Sequence, residues 1–188
     1  VIILKKDDRR VKRTKKAIQE ALAELMLEKE LQSITIQELA DKADIHRATF
    51  YTHYEDVYDL YSQMEQSAID EINEIITNES YTYKEVPKII VDYVFDNAKM
   101  SRLFLTKNLS RSFYHKMSKF LEEICLEHLC DFLNEEASEK WSYLVSYHVQ
   151  GYLAIIIRWI KQDFALPKED IVKMLIQVET HFLTIGKF

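Results

Sequence analysis

Residues 35 to 54 read TIQELADKADIHRATFYTHY, and the reading of this stretch decides the fold. Ile34 and Ile36 lead into it. Thr35 and Glu38 form a T-x-x-E capping box, in which the Thr hydroxyl takes the orphan amide of Glu38 and the Glu carboxylate reaches back to the amide of Thr35. Leu39, Ala40 and Ala43 then recur at helical spacing and give one buried face. Asp44 and Ile45 follow as a turn. Asp tolerates turn geometry, and its carboxylate can cap the helix that follows. That helix carries His46, Arg47, Ala48, Thr49, Phe50, Tyr51, Thr52, His53 and Tyr54.

Two short helices joined by a tight turn make the helix-turn-helix layout, whose second member is set into a DNA major groove by the first. The residue types suit that task. Arg47 can fork onto a guanine edge, and Thr49 or Thr52 can reach a base or a phosphate. Tyr51 and His53 can donate to phosphate, and Thr35 stands at the start of the first member.

The run resembles the DNA-binding domain of the TetR family of transcriptional regulators, over residues 9 to 60. The matching residues are Thr49, Phe50, Tyr51, His53, Tyr54 and Leu60. Three positions depart from the family pattern: Asp44 stands for its turn Gly, His46 for its helix-capping Ser, and Val57 for its phosphate-binding Lys. The resemblance places Thr14 on phosphate, and His46, at the start of the second helix, is a further candidate DNA contact. It also implies dimerisation through the last two helices.

Working outward, the chain of 188 residues has only 2 Gly and 2 Pro, with 47% hydrophobic residues. So few breakers over such a length predict an all-α protein with short connections and exclude hairpins, Gly-rich phosphate loops and barrels. Residues 1 to 54 are expected to form a three-helix DNA-binding domain, with a core of Leu22, Leu25, Ile36, Leu39, Ile45 and Phe50. Residues 55 to 188 are expected to form a helical ligand-binding and dimerisation domain.

The charge is uneven. Residues 1 to 54 hold 11 Lys and Arg against 9 Asp and Glu, whereas residues 55 to 188 hold 14 against 22. Lys5 to Lys16 alone carries 8 basic and 2 acidic residues. Before a helix-turn-helix, such a run reads as a phosphate-binding element. The acidic remainder repels DNA and suits a sensor or dimer domain.

Further helices are expected near 8–29, 55–78, 85–97, 101–106, 110–134 and 138–163, with a last one after Pro167. From Val149 to Ile160 the sequence VQGYLAIIIRWI is apolar nearly all round, so it must be covered on all sides. A second copy of the chain is the simplest cover, with Gly151, Ile155, Trp159, Leu175 and Phe182 at a four-helix homodimer interface. Aromatic and polar residues in the acidic half supply a candidate effector pocket at Tyr93, Phe113, Tyr147 and His148.

Catalytic signals are missing. His46, His53, His115, His128, His148 and His181 make no metal-ligand spacing, and neither a P-loop nor a G-x-S-x-G motif occurs. No enzyme activity, cofactor or metal is expected. Cys125 and Cys130, five residues apart on a helix, point about 140° from each other and should neither bridge nor share a metal. No secretory or membrane-spanning segment is visible, so a cytoplasmic protein is expected.

The reading is a sequence-specific DNA-binding regulator of a pseudo-palindromic operator, a repressor released by a small-molecule or other effector. Two alternatives stay open. One is a co-regulator or activator whose C-terminal half binds a protein partner. The other is a helical ligand-binding dimer with weak DNA binding.

Overall fold

In the computed structural model, residues 2–77, 82–107 and 111–185 are described, without the side chains of residues 2–8, 83, 106, 107, 111 and 185. These residues form α1 (Ile2–Glu28), α2 (Ile36–Lys42), α3 (Arg47–Tyr51), α4 (Val57–Thr77) and α5 (Val86–Asp96). After them come α6 (Ala98–Arg102), α7 (Arg111–Leu133), α8 (Glu139–Lys161) and α9 (Lys168–Ile185). A wide π-type turn, Leu103–Lys107, follows α6. No strand occurs among the described residues. The polar stretch expected to end the fourth helix falls largely at 78–81, outside the described residues.

The chain divides into two compact units, Val1–Ala68 and Ile69–Phe188. The division falls inside α4, beyond the expected boundary at residue 54.

In the first unit, α1 lays Ile18, Ala21, Leu22, Leu25 and Met26 against Leu39 and Ala40 of α2 and Phe50 of α3, all buried. Ile36 and Ile45, expected in this core, are only half-buried, and Ile18 and Tyr54 take their place. Two ion pairs stand at the rim of the core, Lys29 with Glu38 and Lys42 with Glu24. Val57, in the first turn of α4, is buried.

In the second unit α7 packs on α8, and α5 on α9. Ser138 caps α8 by accepting from the Trp141 amide at 3.4 Å. Its buried face holds Trp141, Val145, His148, Val149, Tyr152, Leu153, Ile156, Trp159 and Ile160. Tyr143, Tyr147, Gly151, Ala154 and Arg158 form an outward stripe, with Ile155 half-buried beside it.

Three of the residues expected at the interface are buried within the protomer itself. Trp159, Leu175 and Phe182 are 2%, 0% and 5% exposed within a single chain, so they are protomer core. Trp159 stacks on Phe95 at 6.0 Å, meets Phe164 edge-on at 4.8 Å and donates its indole N–H to the Leu166 carbonyl at 2.8 Å. It therefore anchors the turn between α8 and α9. Asp163 and Phe164 in that turn both have left-handed backbone, φ 55° and 58°. A bulky residue rarely adopts that conformation. Here the ring cluster holds Phe164 from one side and the Arg102 guanidinium, 4.9 Å from the ring centre, holds it from another.

Candidate nucleic-acid interface

The site begins with the ends of α2. Thr35 Oγ1 accepts from the Glu38 amide at 3.3 Å, and Glu38 Oε2 accepts from the Thr35 amide at 2.9 Å and from its hydroxyl at 2.8 Å. The capping box expected from the sequence is complete. It also occupies the Thr35 hydroxyl, which makes Thr35 a structural residue first and limits what it can offer to a phosphate. The Lys29 ammonium, the Thr35 amide and the Thr35 hydroxyl together pull the Glu38 carboxyl from its ordinary 4.5 down to about 2. A lowered folded-state value stabilises the fold above the unfolded value and loses that contribution as pH falls through the folded one. The stability difference between the wild type and Glu38→Gln is therefore expected to be full above about pH 4.5, to shrink as pH falls toward about 2 and to vanish below it. Acid-unfolding curves of the two proteins check this, and a difference that stays constant over that window would contradict it.

The turn is built by a left-handed residue. Ile45 N–H donates to Ala40 O at 3.0 Å and Asp44 N–H to Asp41 O at 3.3 Å, with Asp44 at φ 53°. This is the Schellman arrangement, which satisfies the last carbonyls of α2. Asp is one of the few non-glycine residues that visit this region readily, so Asp44 does the work of a turn glycine. It does not cap α3 as expected. The N-cap of α3 is His46, whose side chain makes no capping bond. At the other end Thr52 Oγ1 donates back to Thr49 O at 2.6 Å, and α3 closes at Tyr51, shorter than the expected run to Tyr54.

This short helix presents its polar residues outward. His46, Arg47, Tyr51 and Thr52 are exposed, Thr49 and His53 half-exposed, and Phe50 is buried beneath them. Arg47 Nη2 donates to Tyr51 Oη at 3.0 Å, and its guanidinium lies 5.6 Å from the Tyr51 ring centre. The pair holds the guanidinium on the exposed face of α3.

Across from α3, α1 exposes Arg9, Arg10, Lys12, Arg13 and Lys16. An open groove of about 380 Å³ runs between the two helices, lined by Arg10, Val11, Thr14, Ala48, Thr49, Thr52 and His53. Thr14, Thr49, Thr52 and His53, four of the residues singled out in the sequence, thus share one open groove with Arg10. Partial burial, and then the charge of Lys15, hold His53 below its usual 6.5. At neutral pH it offers a ring N–H but no positive charge. Lys15 lies over the Tyr54 ring at 5.8 Å, tying the basic face of α1 to the end of the helix-turn-helix. Arg10 is the contributor that sequence reading left inside an undifferentiated basic run. Its place on the groove emerges only from the packing of α1 on α3.

The four candidate pocket residues do not converge. Tyr93 lines an open groove of about 490 Å³ with Ile75, Lys88, Ile89 and Asp92, and its hydroxyl donates to Glu71 at 2.8 Å. Phe113 is core, stacked on Phe104 at 4.7 Å. Tyr147 is 77% exposed on the outward stripe of α8. His148 lines a separate, much smaller cavity of about 30 Å³. Cys125 is buried and Cys130 half-buried, and they form no disulfide. No helix among the described residues is long and apolar enough to cross a membrane.

Comparison with known proteins agrees with this architecture. Residues 81–180, more than half of the chain, match a TetR-type family model described as "Transcriptional regulator C-terminal region". The chain is 28% identical over 194 residues to YxbF of Bacillus subtilis (strain 168), named an uncharacterized HTH-type transcriptional regulator. That match covers 98% of this chain and 48% of the relative, so the chain spans about half the length of the curated protein it matches. Among solved structures it is similar to the dihydroxyacetone kinase operon activator DhaS, with TM-score 0.67, 19% identity, and 93% of this chain and 96% of that one covered. It is equally similar to a TetR transcriptional regulator from Streptococcus agalactiae 2603V, with TM-score 0.67, 22% identity, and 99% of both chains covered. The all-helical fold, the helix-turn-helix and the family match together place this chain in the TetR family of transcriptional regulators.

Proposed function

We propose that this chain binds duplex DNA in a sequence-specific way as a homodimer, and represses transcription until an effector acts on its C-terminal helices. It works by binding and not by catalysis. One observation carries the DNA reading: the exposed face of α3, with Arg47 leading, stands beside a groove that Arg10 and Thr14 of α1 line, on a helix that also exposes Arg9, Lys12, Arg13 and Lys16. Bases are read by Arg47 and its neighbours on α3, because the N-terminal residues of a recognition helix are those that reach base edges. Phosphates are held by Arg10, Thr14, Tyr51 and His53, which set register but carry no sequence information.

Arg47→Ala is expected to relax selectivity at one base position per half-site by about 1–3 kcal/mol, while leaving the slope of affinity against salt nearly unchanged. Competition binding against single-base operator variants measures this. Selectivity unchanged at every position would remove Arg47 from the role.

Dimerisation is proposed through the outward stripe of α8, with Gly151 at its centre. Tyrosines such as Tyr143 and Tyr147 are enriched at protein interfaces. Within the protomer nothing lies within 4 Å of where a Gly151 Cβ would stand, so the chain's own packing does not require a glycine there. A second α8 approaching closely would. Gly151→Arg is expected to leave the protomer folded and to raise the dimer dissociation constant about a hundredfold or more, the cost of burying an unpaired charge. Light scattering across a dilution series decides it, and an unchanged dimer would move the interface elsewhere.

Activation is the second reading, favoured by the name of DhaS as an operon activator. A reporter placed behind the recovered operator separates the two by the sign of its response.

A further inference from the structure

The second unit holds a polar cluster that the DNA reading does not use. Cys125 of α7, His148 of α8 and Glu179 of α9 are 4%, 6% and 7% exposed. One donor atom from each, a sulfur, an imidazole nitrogen and a carboxylate oxygen, all lie within 4.8 Å of one another. We propose that these three side chains form a binding site for a divalent transition-metal ion of the zinc class.

Two features on the page point to a ligand. First, Glu179 Oε1 and Tyr152 Oη are buried without a hydrogen-bond partner. A buried polar atom left unpaired is costly, and such atoms commonly mark the place of an ion or a water. Both residues line the same small cavity of about 30 Å³, together with Cys125 and His148. That volume admits a body about the size of one water, not an organic effector. Second, the three donors come from three different helices and converge on that cavity. The other carboxylate oxygen of Glu179 stands 2.9 Å from His148 Nε2. A thiolate and a carboxylate together offset the two positive charges of the ion, and the imidazole binds neutral.

The donor set chooses the metal. Calcium and magnesium take oxygen ligands alone. A mixed thiolate, imidazole and carboxylate set suits zinc or cobalt. With metal–nitrogen and metal–oxygen bonds of about 2.0–2.2 Å, tetrahedral nitrogen and oxygen ligands stand about 3.4 Å apart. The three donor atoms, within 4.8 Å of one another, reach such a site with shifts of about 1 Å. The His148 ring is already oriented by stacking on Phe182, 4.0 Å away and tilted by 20°. The cavity leaves a fourth position for Tyr152 Oη or a water. On binding, the Cys125 thiol releases its proton to solvent.

The test uses the full chain, stripped with chelator and titrated with cobalt(II). A thiolate-to-cobalt charge-transfer band should grow to saturation at one ion per protomer and be bleached by zinc. Cys125→Ser should abolish that band and Cys130→Ser should leave it intact. Glu179→Gln should weaken affinity at least about 10–100-fold, the range already seen for residues that merely support a ligand. X-ray absorption at the zinc edge reads the unmutated protein and so covers the case in which a variant fails to fold. It should show one sulfur at about 2.3 Å beside nitrogen and oxygen at about 2.0–2.2 Å. Absence of the band in a protein folded by circular dichroism, a band that survives Cys125→Ser, or a shell of nitrogen and oxygen alone would each overturn the proposal. The first of these outcomes would assign the cavity to a bound water.

Discussion

Phe50→Ala is expected to cost the first unit about 3–5 kcal/mol, the usual range for removing a fully buried aromatic ring. Phe50 is 0% exposed beneath α3. Its ring meets Tyr51 edge-on at 5.8 Å and Tyr54 at 5.6 Å, so the loss removes aromatic contacts as well as buried area. A unit of this size has little stability to spare. The expected result is a first unit unfolded at room temperature, with DNA affinity lost at every salt concentration, while amides of α7 to α9 stay protected from exchange. Hydrogen exchange with binding assays measures both. A variant that binds DNA with near wild-type affinity would show that the α3 face does not depend on this core.

Trp159→Ala is the second large effect, again about 3–5 kcal/mol. Its value lies in the concentration dependence. A residue packed at a subunit interface destabilises by weakening association, so its effect changes with protein concentration. Trp159 packs inside the protomer on Phe95 and Phe164 and bonds to Leu166. The drop in melting temperature should therefore be the same over a hundredfold dilution. The left-handed pair Asp163 and Phe164 should also lose its hold, since its strain is supported by that ring cluster. A loss that appears only at low concentration would return Trp159 to the dimer interface.

These two residues also show where sequence reading succeeds and where it stops. The helix-turn-helix was legible because its signals are local. A capping box, a helical apolar period and a turn residue fix α2 and its exit within a few positions. The length of α3 was not legible, because a short Thr52 hydroxyl bond to Thr49 O closes it. In α8 the sequence showed how many residues need cover but not what covers them. Trp159 turned out to be covered by the turn that follows its own helix, which no period reports. Tyr147, which the sequence marked for a pocket, stands on the outward stripe instead. The Cys125, His148 and Glu179 cluster was invisible for a related reason. Its members come from three helices, and ligand spacing in sequence reveals only sites built within one segment. Their burial, not their spacing, is the signal.

The central claim is that the basic face of α1 and the outer face of α3 read duplex DNA as one of two symmetry-related copies. The most direct test is selection of duplexes from a random pool by the purified chain, followed by the affinity of the winners against salt. The account predicts an enriched inverted repeat with half-site centres about 10 base pairs or a multiple apart, and a steep fall of affinity with salt from released counterions. No enrichment, or weak binding blind to sequence with a shallow slope, would contradict it.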